Sequence, residues 1–169
     1  MMKLTRRRQH GMTLIEVLVS VLILAIGLLG AAAIQLNALK YTDSATLSSQ
    51  ASFIAYDMMD RIRANVDGNA TANGSADVLT TYLLRSISSA PTGTQTNAKD
   101  QDLADFRANV ERLPGGTGSI NVETNRFVTV TVGWDDTRAA AASTVASGGA
   151  PTASNPQKIE ITSRIGVTP

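Results

Sequence analysis

Few side chains in this sequence could do chemistry, and most of them stand where chemistry is hard to arrange. The one histidine is His10 and there is no cysteine. Nucleophile activation by imidazole or thiolate therefore has almost nothing to work with, and neither a disulfide framework nor a cysteine-based metal site can form. Asp135 and Asp136 make a carboxylate pair of the kind used in acid–base work. Adjacent residues on a strand point to opposite faces, however, and a turn after Trp134 accounts for both without chemistry. Asp67, Asn69 and Thr71 alternate like the opening of a calcium loop but lack its closing glutamate. Asn69-Ala70-Thr71 and Asn73-Gly74-Ser75 match glycosylation sequons, a match that arises readily by chance in so polar a loop. Glu16 is different. It lies within an apolar stretch, MTLIEVLVSVLILAIGLLGAAAIQL, from Met12 to Leu36. A carboxylate inside a membrane segment costs a few kcal/mol unless it is paired, so it marks function by default.

The element that must position Glu16 is a helix. Val17 to Ile34 is a run of eighteen residues with no charge and only Ser20 polar, close to the roughly 20 needed to cross about 30 Å of hydrocarbon. Lys3, Arg6, Arg7 and Arg8 precede it, and the positive-inside rule predicts a cytoplasmic N-terminus. A plain signal anchor is one reading. A cleaved secretory signal would want an apolar core of about 7–15 residues with a small-x-small site after it; here the small residue, Gly11, comes before the apolar run. Those four cations are also what makes the formal net charge +1: without them 11 basic side chains face 14 acidic ones, a net of −3. Direct nucleic-acid binding, which rests on neutralising phosphates, is therefore not expected.

The helical pattern continues past the membrane. Leu47, Ala51, Ile54, Met58, Ile62 and Val66 recur at three- and four-residue steps, the core face of an amphipathic helix. Ser48, Ser49, Gln50, Asp57, Asp60, Arg61 and Arg63 fall elsewhere on it, with Asp57 and Arg61 spaced to pair at i,i+4. One helix from Met12 to about Val66 is expected. Gly27 and Gly30 are its weak points, although small residues also ease close helix–helix approach. Asp67-Gly68-Asn69 should end it. A short helix capped by Asp77 and running to about Ser88 would set Leu79, Leu83 and Ile87 on one face. A second, from about Asp100 to Leu113, presents Leu103, Phe106, Val110 and Leu113, and Pro114-Gly115-Gly116 stops it. The period then changes to two: Ile120 and Val122; Val128, Val130, Val132 and Trp134; Ile159, Ile161 and Ile165, with a hairpin at Asn125-Arg126. Residues 138–156 are rich in Ala, Ser, Gly and Pro and read as a mobile loop. The fold class that results is α+β, a long N-terminal helix packed on a small three-stranded antiparallel sheet. With 43% apolar residues, many of them in the N-terminal run, and only three Phe, three Tyr and one Trp, the soluble core is modest.

Gly11-Met12-Thr13-Leu14-Ile15-Glu16-Val17 resembles the type III signal of type IV prepilins and type II secretion pseudopilins. The resemblance implies that an inner-membrane prepilin peptidase cuts between Gly11 and Met12 and methylates the new N-terminus at Met12. The family usually has Phe there; Met is likewise apolar and unbranched. Glu16 stands at the family's glutamate. The cut would release a cationic α-amine inside the membrane, and a neighbouring subunit's Glu16 could neutralise it during assembly, turning two unfavourable buried charges into one pair. Segments follow accordingly: a leader 1–11 that carries His10 away with it, a transmembrane and filament-core half 12–39, an amphipathic half 40–66, and a periplasmic αβ domain 67–169.

Two further stretches resemble the type IV pilus modification protein family (PilV). One is Asp60-Arg61-Ile62-Arg63-Ala64-Asn65. The other pairs Leu113-Pro114-Gly115-Gly116 with the Val-Thr-Val-Gly-Trp-Asp run from Val130 to Asp135. What this implies is a minor pilin, without catalysis or cofactor. It would act in pilus initiation and assembly with other minor pilins, the major pilin and, in some members, a tip adhesin, for twitching motility or cell adhesion. It would sit in the bacterial inner membrane before assembly and at the pilus or cell surface after it. A minor pseudopilin of a type II secretion system would share the leader, Glu16 and the αβ plan. Read as helix surface alone, Asp60, Arg61 and Arg63 would form a solvated face with local ion pairs.

Overall fold

A computed structural model describes residues 12–69, 78–123, 125–137 and 156–166. The leader with Gly11, residues 70–76 with most of the calcium-like and sequon patterns (Asp67 and Asn69 fall in the long first helix), Asp77, and the 138–155 loop lie outside the described residues. The rest divides into two compact units, with the break between Leu39 and Lys40.

The described part of the first unit is helix almost throughout: it is the beginning of α1 (Leu14–Asn69). Its apolar side chains stay uncovered, with Leu14, Ile15 and Leu29 each 70% exposed or more. The most apolar 18-residue window has a mean hydropathy of 2.8, and none of it is buried. A Cβ added at Gly27 or Gly30 would meet nothing within 4 Å, so none of the described residues makes use of their small size.

The second unit is built on the rest of α1. Ala51, Ala55, Met58, Met59, Ile62 and Val66 are buried, and Leu47 and Ile54 pack against them. The expected face is therefore present, widened by Ala55 and Met59. The sheet has the order β1–β2–β3, antiparallel throughout, with β1 Thr117–Val122, β2 Phe127–Asp135 and β3 Pro156–Arg164. Ile120 lies opposite Val130, and Val130 opposite Ile161. This register turns Val128, Val130, Val132 and Trp134 into the core together; a slip of one residue would turn them all out. Thr129 and Thr162 share a hydroxyl hydrogen bond of 2.9 Å across the outer face. The hairpin turns where expected. Arg126 adopts a left-handed φ of 67°, and it is held there from both sides: its Nε donates to Ile165 O at 2.9 Å, and Ile165 N donates to Arg126 O at 3.0 Å.

The segment before the second α-helix differs from expectation. In place of an α-helix reaching Ser88 there are two 3₁₀ turns, Val78–Tyr82 and Ile87–Ser89. Between them Leu84 exchanges both backbone hydrogen bonds with Ile120, at 2.9 and 2.7 Å. A residue paired with a strand edge cannot also satisfy a helix ladder, so the helix is interrupted there. Leu84 is buried as a result, and Leu83 is 47% exposed. The next helix, α2 (Ala98–Val110), starts two residues earlier than expected because Asn97 caps it, accepting from Asp100 N at 2.8 Å. The Asp100 carboxyl is held below the usual range by Lys99 and then Asn97.

After α2 the chain reverses at Pro114-Gly115-Gly116. Gly115 has a φ of 59°, and a Cβ on Gly116 would lie 2.0 Å from the carbonyl oxygen of Val110. That neighbour is backbone and cannot swing aside. Gly116→Ala should therefore cost about 3 kcal/mol, lowering the melting temperature by roughly 10–20 °C. Differential scanning calorimetry checks this, and an unchanged transition would show that the turn relaxes freely.

Candidate functional site

Two clusters carry the residues singled out from the sequence. At the chain start, Met12 and Thr13 are not helical and α1 begins at Leu14. Thr13 is its N-cap. Its carbonyl accepts from Glu16 N at 3.1 Å and Val17 N at 3.3 Å, and its Oγ1 accepts from Glu16 N at 3.4 Å. Glu16 is thus the third helical residue, exposed in the first turn, where the helix dipole favours a negative charge. Ser20 folds its hydroxyl back onto Glu16 O at 2.7 Å, so the one polar side chain between Val17 and Ile34 is satisfied locally. Met12 is 72% exposed.

The second cluster is the Asp60–Asn65 stretch. Asp60 and Arg63 behave as a solvated face, with Arg63 Nη1 donating to Asp60 Oδ1 at 2.8 Å from two exposed side chains. Arg63 Nη2 also reaches Ser163 on β3, at 2.7 Å. Arg61 does not fit a purely local description. Its Nε pairs with Asp57 at 2.8 Å, as the spacing predicts, while its Nη1 crosses to α2 and meets Asp102 at 3.1 Å and Asp105 at 3.0 Å. Burial alone would lower the guanidinium's pKa; hydrogen bonds to Asp102, Asp57 and Asp105 reverse this, so the net direction is upward. Asn65 points into the same network, donating to Asp102 Oδ2 at 2.6 Å and to the Tyr82 hydroxyl. That hydroxyl donates to Asp102 at 3.0 Å. Burial, then the Asp102 carboxylate, holds the Tyr82 phenol well above its ordinary range, so it stays protonated and donating.

Asp102 is the centre of this arrangement, an almost buried carboxylate with three donors from two elements, and the sequence reasoning missed it. The local pattern placed it beside Leu103 on a helix, but its partners lie 20, 37 and 41 positions away. Arg61→Met should cost about 1.5–3 kcal/mol, the value of a charged hydrogen bond, because Asn65 and Tyr82 still satisfy Asp102. Asp105→Asn should cost under about 1 kcal/mol, since Asp105 is 39% exposed. Urea denaturation of both variants checks the ranking, and the reverse order would refute Asp102 as the centre.

The adjacent carboxylates end in different surroundings. Asp135 closes β2, whereas Asp136 is 4% exposed and accepts from the hydroxyl of Ser44 on α1. The two halves of the second stretch that resembles the pilus modification family are in contact: Asp135 N donates to Pro114 O at 2.7 Å. An open cavity of about 510 Å³ lies between α1 and the end of α2, lined by Phe53, Ile54 and Leu113 with Asp57 and Arg112 at its rim. It gathers no nucleophile and base.

The family model for the prokaryotic N-terminal methylation motif matches residues 6–32. No curated protein and no solved structure matches the chain. The match spans the Gly11–Met12 junction, Thr13, Glu16 and most of the apolar run. A prepilin-type signal is therefore present, and it supports a type IV pilin-like protein, pilin or pseudopilin, of structural rather than enzymatic character. The signal implies processing by a prepilin peptidase and pilus-related partners, and with the long apolar helix it supports membrane anchoring.

Proposed function

We propose that this chain is a minor pilin that acts in the initiation and assembly of type IV pili, entering the pilus or its priming complex. The N-terminal segment carries the proposal: a methylation motif over residues 6–32 leads into a helix whose apolar side chains none of the described residues covers. Surface of that kind needs lipid or other subunits. The peptidase cuts between Gly11 and Met12, Met12 is N-methylated, and Glu16 pairs with the amine of a neighbouring subunit. Before assembly the helix crosses the inner membrane once, with Arg6, Arg7 and Arg8 on the cytoplasmic side and the domain from Lys40 onward in the periplasm. Its partners are other minor pilins, the major pilin and, where one exists, a tip adhesin.

A minor pseudopilin of a type II secretion system accounts for the same N-terminal segment. The Asp60–Asn65 stretch favours the pilus, together with Pro114-Gly115-Gly116 and the Trp134-Asp135 run it touches. Deleting the gene and complementing it separates the two: loss of surface pili with normal protein secretion is expected. Loss of secretion with normal piliation would assign the chain to the secretion system. Intact mass of the matured protein should place its N-terminus at Met12.

A further inference from the structure

We propose that the outer edge of β3 is a docking site for an extended segment of a partner protein, which adds to the sheet as a further antiparallel strand. β3 is nine residues long and pairs only with β2 among the described residues, whereas β1 on the other side already meets Leu84. The register decides which backbone groups of β3 are spare. Ile120 gives both of its own to Leu84, so Val130 opposite it turns toward β3 and bonds Ile161. By alternation Ile159 also bonds β2, and the N–H and C=O groups of Lys158, Glu160 and Thr162 point away from the sheet. All three residues are exposed. Unpaired groups in such a row are met by another extended backbone.

Sheet edges usually carry a guard, such as an unpaired lysine or a proline within the strand. Here Pro156 stands at the first position, and Lys158 Nζ meets Glu160 at 2.8 Å, so the pair presents no net charge to an incoming chain. The same strand states the chemistry of its occupant. Ile159 and Ile161 are only partly buried against the core, and apolar side chains at alternate positions would cover them. A base between those two would stand opposite Glu160, with an acid opposite Lys158. A second copy of this chain has these residue types but the wrong direction. Asp136, just past the end of β2 that faces Pro156, accepts from Ser44, and Arg63 reaches Ser163 at 2.7 Å. β3 and the part of α1 beside it therefore run the same way. A copy paired antiparallel would have that helix reversed, which two chains anchored in one membrane do not. That exclusion rests on the membrane-anchored reading given above; the edge itself does not.

The test uses the full chain in detergent and a blocked synthetic peptide with the sequence of Gln157–Thr162, which can set its glutamate opposite Lys158 and its lysine opposite Glu160. Binding should slow hydrogen exchange at the Lys158, Glu160 and Thr162 amides. The same peptide with its lysine and glutamate exchanged should bind about fivefold more weakly, through two mismatched cross-strand pairs. Lys158→Pro removes an edge donor without touching the β2 ladder, so this variant should keep its melting transition and lose the peptide. In membranes, Ile159→Cys, in a chain with no other cysteine, should stay monomeric on mild oxidation. Unchanged exchange at the three amides, equal binding of the two peptides, or full binding by Lys158→Pro would overturn the strand site. A disulfide-linked dimer of Ile159→Cys would overturn the occupant, because it would place a second copy on the edge.

Discussion

Exchanging Glu16 for Ala should give a protein that is still cut and still inserted in the membrane, yet is lost from the assembled pilus. Glu16 is exposed, and the first turn's hydrogen bonds run through the backbone and Thr13.

 The substitution therefore leaves the helix start in place, and the peptidase meets an unchanged junction. What disappears is the partner for the cationic amine that the cut releases on a neighbouring subunit. An uncompensated charge within the membrane costs about 2.5–3.5 kcal/mol, so incorporation relative to the native protein should fall roughly 100-fold. Quantitative immunoblotting of sheared pili against membrane fractions measures this ratio. Incorporation at the native level would sink the charge-pairing account, and Glu16→Gln, which keeps the shape without the charge, should behave like the alanine variant.

The second large effect is at Gly11. Replacing it with a bulky residue such as Leu should leave an uncut precursor, heavier than the mature protein by its leader of about 11 residues. On the proposed junction, a bulky side chain at this place should obstruct the peptidase. The uncut protein also lacks the Met12 amine, so it should be missing from pili for a different reason from Glu16→Ala. Mass spectrometry separates the two defects: Glu16→Ala yields a mature chain that stays in the membrane, Gly11→Leu a precursor. A mature N-terminus at Met12 in Gly11→Leu would undo the assignment of the junction.

Much of the fold was legible because periodicity records which face of an element is buried. The three- and four-residue steps from Leu47 to Val66 and the alternation from Val128 to Trp134 both survive in the core, since burying apolar surface is the main driving force and each pattern has one face that can do so. The Asp77–Ser88 helix was misread for a matching reason. Its apolar spacing suited a helix, but pairing of Leu84 with Ile120, 36 positions along the chain, was stronger than that local preference.

The sequence by itself determined the N-terminal device. The methylation motif over residues 6–32, the apolar helix and Glu16 within it lie along one continuous stretch, and their chemistry depends on neighbours in the chain and on the membrane. Tertiary structure alone decided the role of the Asp60–Asn65 motif. It turned Arg61 and Asn65 inward onto Asp102 and Tyr82 and left Asp60 and Arg63 in solvent. Nothing local separates those two fates, because a polar side chain on a helix takes its partner from whatever the fold brings opposite it, and here that partner is a carboxylate on α2 that only the packed core holds in place.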